Sequence, residues 1–169
     1  GGGTGHEMPS TTVTSSAISV AWSTTPTSGP IRERALQSFW TAACRTWDTR
    51  DRVLDIGCGN GALAQSLAAI ARDTGRTFRY TGLDQAEIRP PSHSDFHPLD
   101  VVLHDNTRAE TARLPDWSFE RVISQYGFEY CDRKAVSTRI ASWLVPEGSL
   151  SLLVHRRVRH EPFSFESVS

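Results

Sequence analysis

Nowhere does this chain carry an apolar run of the ~18–20 residues that a membrane-spanning helix requires. It also lacks the basic-then-apolar start of a secretory leader, so the sequence by itself points to the cytoplasm. Cysteine is scarce. Cys44, Cys58 and Cys131 are odd in number, widely spaced and in no CxxC pair, so they form neither a disulfide framework nor a zinc pattern. No other cluster has recognisable metal-ligand spacing. A surplus of one charge is missing too: the formal net charge is -1. That gives no sequence-independent footprint for nucleic acid. The one basic run, His155-Arg-Arg-Val-Arg-His160, reads as solvated surface after a strand. What remains is 169 residues, 38% of them hydrophobic, which is enough for a single domain with a substantial core.

Residues 1–7, rich in glycine, read as an expression scar ahead of a native start at Met8. Residues 8–30 are rich in Ser, Thr and Pro and bury little by themselves, so a flexible arm is expected there. Its short apolar island, Ala17 to Trp22, suits a strand fragment, a lid or, best, a tail packed locally. From Ile31 the residues Ala35, Leu36, Phe39, Trp40, Ala43 and Trp47 recur at helical spacing, behind a proline at the helix start. Short apolar segments at 52–56, 77–84, 100–104, 119–124 and 149–154 read as strands, and 62–71 and 134–144 as helices between them. A helical turn or two is expected within 105–113, and a turn at Pro146-Glu-Gly148. Strands alternating with helices predict an α/β fold: a Rossmann-like, doubly wound, mainly parallel sheet of about five strands. The domain is expected over 31–160, with a tail at 161–169.

Chemistry concentrates at Gly57-Cys-Gly-Asn-Gly61, between the strand at 52–56 and the helix from 62. A tight strand-to-helix turn needs positive φ, and a ligand approaches bare backbone only where no Cβ intervenes. The helix's first N–H groups then face that ligand. Asp55 lies inside the apolar strand, where a carboxylate is costly unless partnered. Asp84 ends the next strand, as an acidic residue gripping ribose hydroxyls would. The spacing is GxGxG, not the GxGxxG of dinucleotide-binding dehydrogenases.

These segments, with Leu114-Pro-Asp-Trp-Ser-Phe-Glu-Arg-Val-Ile-Ser-Gln-Tyr-Gly-Phe-Glu-Tyr130, resemble the class I S-adenosylmethionine-dependent methyltransferases. The resemblance is nearest to the small-molecule branch similar to ubiquinone and menaquinone methyltransferases, and it runs from about Ile31 to His155. It implies that Asp55, Gly57, Cys58, Gly59 and Gly61 hold the methionine part of S-adenosylmethionine. Asp84 would take the ribose hydroxyls and Gln85 would border the adenine. An acidic or amide group near the adenine amine falls either to Asp105-Asn106, which the strand end favours, or to Ala109-Glu110. Ser124, Gln125 and Tyr126 would border the methionine and the reacting methyl. Candidate general bases at strand ends are His155, His104, Tyr126 and Glu129.

Such domains usually continue past the fifth strand into a helix and an antiparallel strand pair, for which this chain has no room. An uncovered sheet edge is therefore expected there, inviting a homodimer or a partner chain. The reading is methyl transfer from S-adenosylmethionine to a small-molecule acceptor, with no metal, membrane or nucleic acid involved. The alternative is an inactive cofactor-binding or regulatory domain of the same fold. A nicotinamide-dependent oxidoreductase is disfavoured by the glycine spacing.

Overall fold

The computed structural model describes residues 6–13, 16–23 and 29–155. The tail at 161–169, most of the basic run and residues 1–5 lie outside the described residues. Seven strands form one sheet in the order β1-β2-β7-β6-β3-β4-β5. The strands are β1 (His6–Val13), β2 (Ser16–Ser23), β3 (Arg52–Ile56), β4 (Arg79–Leu83), β5 (Asp100–His104), β6 (Phe119–Gln125) and β7 (Leu144–His155). Three helices connect them: α1 (Pro30–Ala43), α2 (Ala62–Thr74) and α3 (Arg133–Trp143). All pairings from β2 to β5 across the sheet are parallel, and β1 alone runs antiparallel, to β2. The five expected parallel strands are all present.

The N-terminal residues depart from expectation. The segment read as a scar and flexible arm contains β1 and β2. Ala17 to Trp22 is the middle of β2, paired in register with Ser149 to Val154 of β7. The edge beside β7, expected to be bare, is therefore occupied by β2, and a homodimer through that edge has no free backbone to use. The physical reason is pairing: Ser- and Thr-rich segments make poor isolated strands, but a waiting edge satisfies their N–H and C=O groups.

Two apolar layers sandwich the sheet. On β3, Leu54 and Ile56 join one layer with Val136, Ile140 and Trp143 of α3. Val53 joins the other with Leu36 and Trp40 of α1 and Leu63 and Leu67 of α2. This is strand alternation with both faces covered. Local chemistry sets the helix ends. Gly75, at φ 68°, closes α2, and the Asp132 carboxylate accepts the Ala135 N–H at the start of α3. Helix α1 stops at Ala43, before Trp47, in a short 3-10 turn over Cys44–Thr46. Pro146 to Gly148 lies within β7 as an irregularity, since Phe119 pairs with Leu144 but Arg121 with Ser149. The segment 105–113 has no helix.

Among the described residues no helix is long and apolar enough to cross a membrane.

Candidate functional site

The loops after β3, β4, β5 and β6 leave the same end of the parallel sheet and surround a cavity of about 200 Å³. Carboxyl ends of strands are where open α/β sheets place ligands. Ile56 and Gly57 line the cavity from β3 and its turn, and Leu83, Asp84 and Gln85 from β4. The loop after β5 contributes Thr107, Arg108, Ala109 and Glu110, and the loop after β6 contributes Tyr126, Gly127, Tyr130 and Cys131.

The glycine turn has the predicted backbone: φ is 74° at Gly57, 55° at Gly59 and 97° at Gly61. A Cβ on Gly57 would stand 3.0 Å from Gly127 Cα, so the two loops pass with no room for a side chain. The N–H groups of Gly57 and Cys58 both donate to Leu83 O, at 2.8 and 2.9 Å, which ties the turn to β4. Asp84 completes the tie. Its Oδ2 accepts the Gly59 N–H at 2.8 Å and its Oδ1 the Ala86 N–H at 2.8 Å. The carboxylate is thus held at the cavity wall with lone pairs to spare for a ligand's hydroxyls.

Asp55 is 1% exposed and does not line the cavity. The Tyr80 hydroxyl donates to its Oδ2, and Oδ1 is buried without a partner. Burial pushes the Asp55 carboxyl up to about 7; the Tyr80 hydrogen bond opposes this, and the charge of Asp84 adds to it. Tyr80 is the group that sequence reasoning missed here, because pairing it with Asp55 requires the β3–β4 register. Cys58 is buried, and its thiol is pushed up by desolvation. Gly59 and Gly61 shape the turn from outside the wall.

Of the two choices after β5, the wall is made by Thr107 to Glu110. Asp105 and Asn106 stand off it: Asp105 accepts the Ile88 N–H at 3.4 Å, and Asn106 turns the chain at φ 49°. The loop goes on beyond the strand end before it meets the cavity, so Ala109 and Glu110 lie on its wall and Asp105 and Asn106 do not. Burial raises Glu110, but the N–H of Asp132 and the Arg108 guanidinium outweigh it and hold the carboxyl below its ordinary range. Arg139 of α3 fixes this loop by donating to Glu110 O at 3.1 Å and Ala112 O at 3.3 Å.

Two residues at the end of β6 also face elsewhere. Ser124 is fully buried. Its Oγ donates to Ile56 O at 2.8 Å and accepts the Phe128 N–H at 2.9 Å, so it braces the loop rather than lining the wall. Gln125 accepts the Trp40 indole N–H at 2.6 Å, on the α1 side of the sheet. Tyr126 does line the cavity, with φ 60°, and its ring stacks on that of His155. His155 and Glu129 are behind it: Glu129 Oε2 accepts the His155 backbone N–H at 2.8 Å, and its Oε1 is buried without a partner. His104 is exposed on β5 and contributes its carbonyl to the Asp84 N–H. Gly127 and Cys131 on the wall went unassigned from sequence, and Gly127 stands out only once its contact with Gly57 is seen.

Comparison with known proteins bears on this arrangement. Residues 53–148, more than half of the chain, match the family described as "Methyltransferase domain". No curated protein is similar enough in sequence to match. The fold resembles the YcgJ protein of Bacillus subtilis (TM-score 0.52, 20% identity, covering 66% of this chain and 46% of that one). It also resembles a coclaurine N-methyltransferase bound to N-methylheliamine and SAH (0.54, 21%, covering 76% and 38%). The CMeT domain of the citrinin polyketide synthase is a third such structure (0.54, 16%, covering 72% and 34%). This chain therefore spans less than half the length of these three structures. With the family match covering the glycine turn, Asp84 and the loop after β6, the chain belongs to the methyltransferase domain family.

Proposed function

We propose that this domain binds S-adenosylmethionine in the cavity at the carboxyl ends of β3 to β6 and transfers its methyl group to a small-molecule acceptor. The observation that carries the reading is the Asp84 carboxylate, pinned by two backbone N–H groups, one of them from Gly59, beside a turn whose Gly57 leaves no room for a Cβ. Such a cradle suits a ribose beside bare backbone. Asp84 would accept the ribose hydroxyls. Gln85 and the wall from Thr107 to Glu110 would enclose the adenine, with the Glu110 carboxylate as acceptor for an exocyclic amine. Ile56, Gly57 and Gly127 would flank the methionine part, and Tyr126 would bound the end where transfer occurs.

When bound, the cofactor supplies a methyl already activated by its sulfonium charge. The protein's own part is then alignment and exclusion of water. Tyr126 suits that part because its ring position is held on both backbone and ring: its N–H donates to Leu153 O at 2.8 Å, and its ring stacks on His155.

A second reading, cofactor binding without turnover, is favoured by one observation: of the four bases expected from sequence (His155, His104, Tyr126 and Glu129) Tyr126 alone lines the cavity. Calorimetric titration with S-adenosylmethionine and S-adenosylhomocysteine tests the cofactor site. Binding is expected, and Asp84→Ala should weaken it roughly tenfold or more, the ~1.5–3 kcal/mol of hydrogen bonds to a charged group. Absence of binding by either compound to the folded chain would overturn both readings. Production of S-adenosylhomocysteine across a panel of small-molecule acceptors then separates the first from the second.

A further inference from the structure

We infer that two copies of this chain pair along the outer edge of β5, antiparallel and about a two-fold axis at Val102, so that their two sheets run on as one. This pairing is independent of what the cavity binds.

Backbone parity defines the edge. β5 ends the sheet, and among the described residues it pairs with β4 alone. The Asp100 N–H donates to Phe78 O and the His104 carbonyl accepts the Asp84 N–H, both at 3.1 Å. Residues 100, 102 and 104 therefore turn their backbone groups toward β4. The N–H and C=O of Val101 and Leu103 point the other way, with no partner among the described residues.

The side chains leave the same strand bare on one face. Asp100, Val102 and His104 are exposed, Val102 by 51%, whereas Val101 and Leu103 pack against the layer formed with α1 and α2. A doubly wound sheet ordinarily has both faces covered. Here the layer under α3 takes in Leu54 and Ile56 of β3 and Leu83 of β4 and stops short of β5, because 105–113 forms no helix to extend it.

The two ends of the sheet are also protected unequally. β1 carries Pro9 and a register irregularity between Glu7 and Thr11, two devices that keep an edge from recruiting another strand. β5 has neither proline nor lysine, and its register with β4 is unbroken over all five residues.

A second copy fits what is left open. With Val102 opposite its own symmetry mate, Val101 meets Leu103 twice, and every outward N–H and C=O of those residues is satisfied. Val102 and the outer pairs then fall at the closer, non-hydrogen-bonded positions. There Asp100 of each copy faces His104 of the other, and the imidazole N–H can donate to the carboxylate whether or not the ring is charged. Centring on Val101 or Leu103 instead loses both Asp–His pairs. The seam is short beside the roughly 1,200–2,000 Å² of a stable interface, so the dimer is expected to be reversible.

Sedimentation velocity and amide hydrogen exchange on the full chain, over about two decades of concentration, test this. The mass should rise from monomer toward dimer, and exchange at the Val101 and Leu103 amides should slow in step. Val102→Lys sets like charges face to face from an exposed position, and should weaken the dimer roughly tenfold while leaving the monomer folded. His104→Asp sets acid against acid at both ends and should weaken it too. Adding Asp100→His restores opposite partners and should recover the dimer, which a general loss of stability would not allow. A chain that stays monomeric throughout, or a dimer that Val102→Lys and His104→Asp leave unchanged, overturns the inference. So does association without protection at Val101 and Leu103, or a loss in His104→Asp that the double swap fails to recover.

Discussion

The rings of Tyr126 and His155 lie 14° from parallel with their centroids 4.0 Å apart, and the Arg32 guanidinium of α1 stands 5.3 Å from the Tyr126 centroid. Tyr126 has φ 60°, a left-handed backbone that costs a non-glycine residue on the order of 1–3 kcal/mol. Its side-chain packing therefore works against a backbone that would otherwise relax. His155→Ala removes a stack worth about 0.5–1.5 kcal/mol. It is expected to lower kcat several-fold while changing the Kd for S-adenosylmethionine by less than about threefold, a limit of under 1 kcal/mol. Steady-state kinetics and calorimetry on the same variant check this. A loss of cofactor affinity as large as that of Asp84→Ala would assign the pair to cofactor binding instead.

Gly127 has φ -119°, which any residue adopts, yet a Cβ there would lie 2.7 Å from Ile56 O and 3.1 Å from Gly57 Cα. Gly127→Ala would ordinarily stabilise through the unfolded chain by about 0.4–1 kcal/mol. Here overpacking is expected to win and destabilise by about 1–3 kcal/mol, with weaker cofactor binding because the two loops are forced apart. Urea denaturation decides the sign. A raised midpoint would show that the loops have slack.

Asp55 makes stability depend on pH in a direction opposite to most carboxylates. Burial, chiefly, raises its pKa from 3.8 to about 7 in the folded chain. Between those values the folded state keeps a proton that the unfolded state has lost, so stability falls as pH rises through the window and is flat above it. The accumulated cost is on the order of 4 kcal/mol. Asp55→Asn cannot ionise, so its stability advantage over the ligand-free parent should grow between about pH 4.5 and 7. Chemical denaturation at both ends of that range measures it. Equal advantages at the two ends would mean that Asp55 does not titrate there.

Arg121 and Asp51 form an ion pair at 2.8 Å with side chains only 12% and 8% exposed. Arg121 also donates to Ser149 Oγ at 3.0 Å and Thr46 O at 3.1 Å, joining β6, β7 and the turn after α1. Asp51 retains one other donor, the Asp48 N–H at 2.9 Å. Arg121→Leu leaves that carboxylate short of its cation and is expected to cost about 3–5 kcal/mol. Asp51→Asn combined with Arg121→Leu should recover part of the loss, measured by denaturant unfolding. Equal losses in the single and double variants would place the damage in packing around Arg121 alone.

The elements legible in the sequence are those whose causes are local. β3, the glycine turn, α2 and the acid ending β4 follow one another within the span from Arg52 to Asp84, and each is dictated by its own residues. The direction of side chains beyond strand ends is less local. Ser124 and Gln125 stand at the end of the predicted strand, but their hydrogen bonds to Ile56 and Trp40 turn them to partners set by the fold. Likewise the cavity wall at Thr107 to Glu110 depends on how far the loop after β5 travels, which Arg139 of α3 settles. The β1–β2 hairpin is the least legible element. Its apolar residues are few and interrupted by serine and proline, and what makes these segments strands is a partner at the other end of the described chain.

That pairing has a temporal consequence. Ala17 finds Ser149, and Trp22 finds Val154, so this part of the sheet closes only when segments far apart in the chain meet. Contacts of such sequence separation carry a large loop-closure entropy and form late. The sheet is continuous only once β7 lies between β6 and β2.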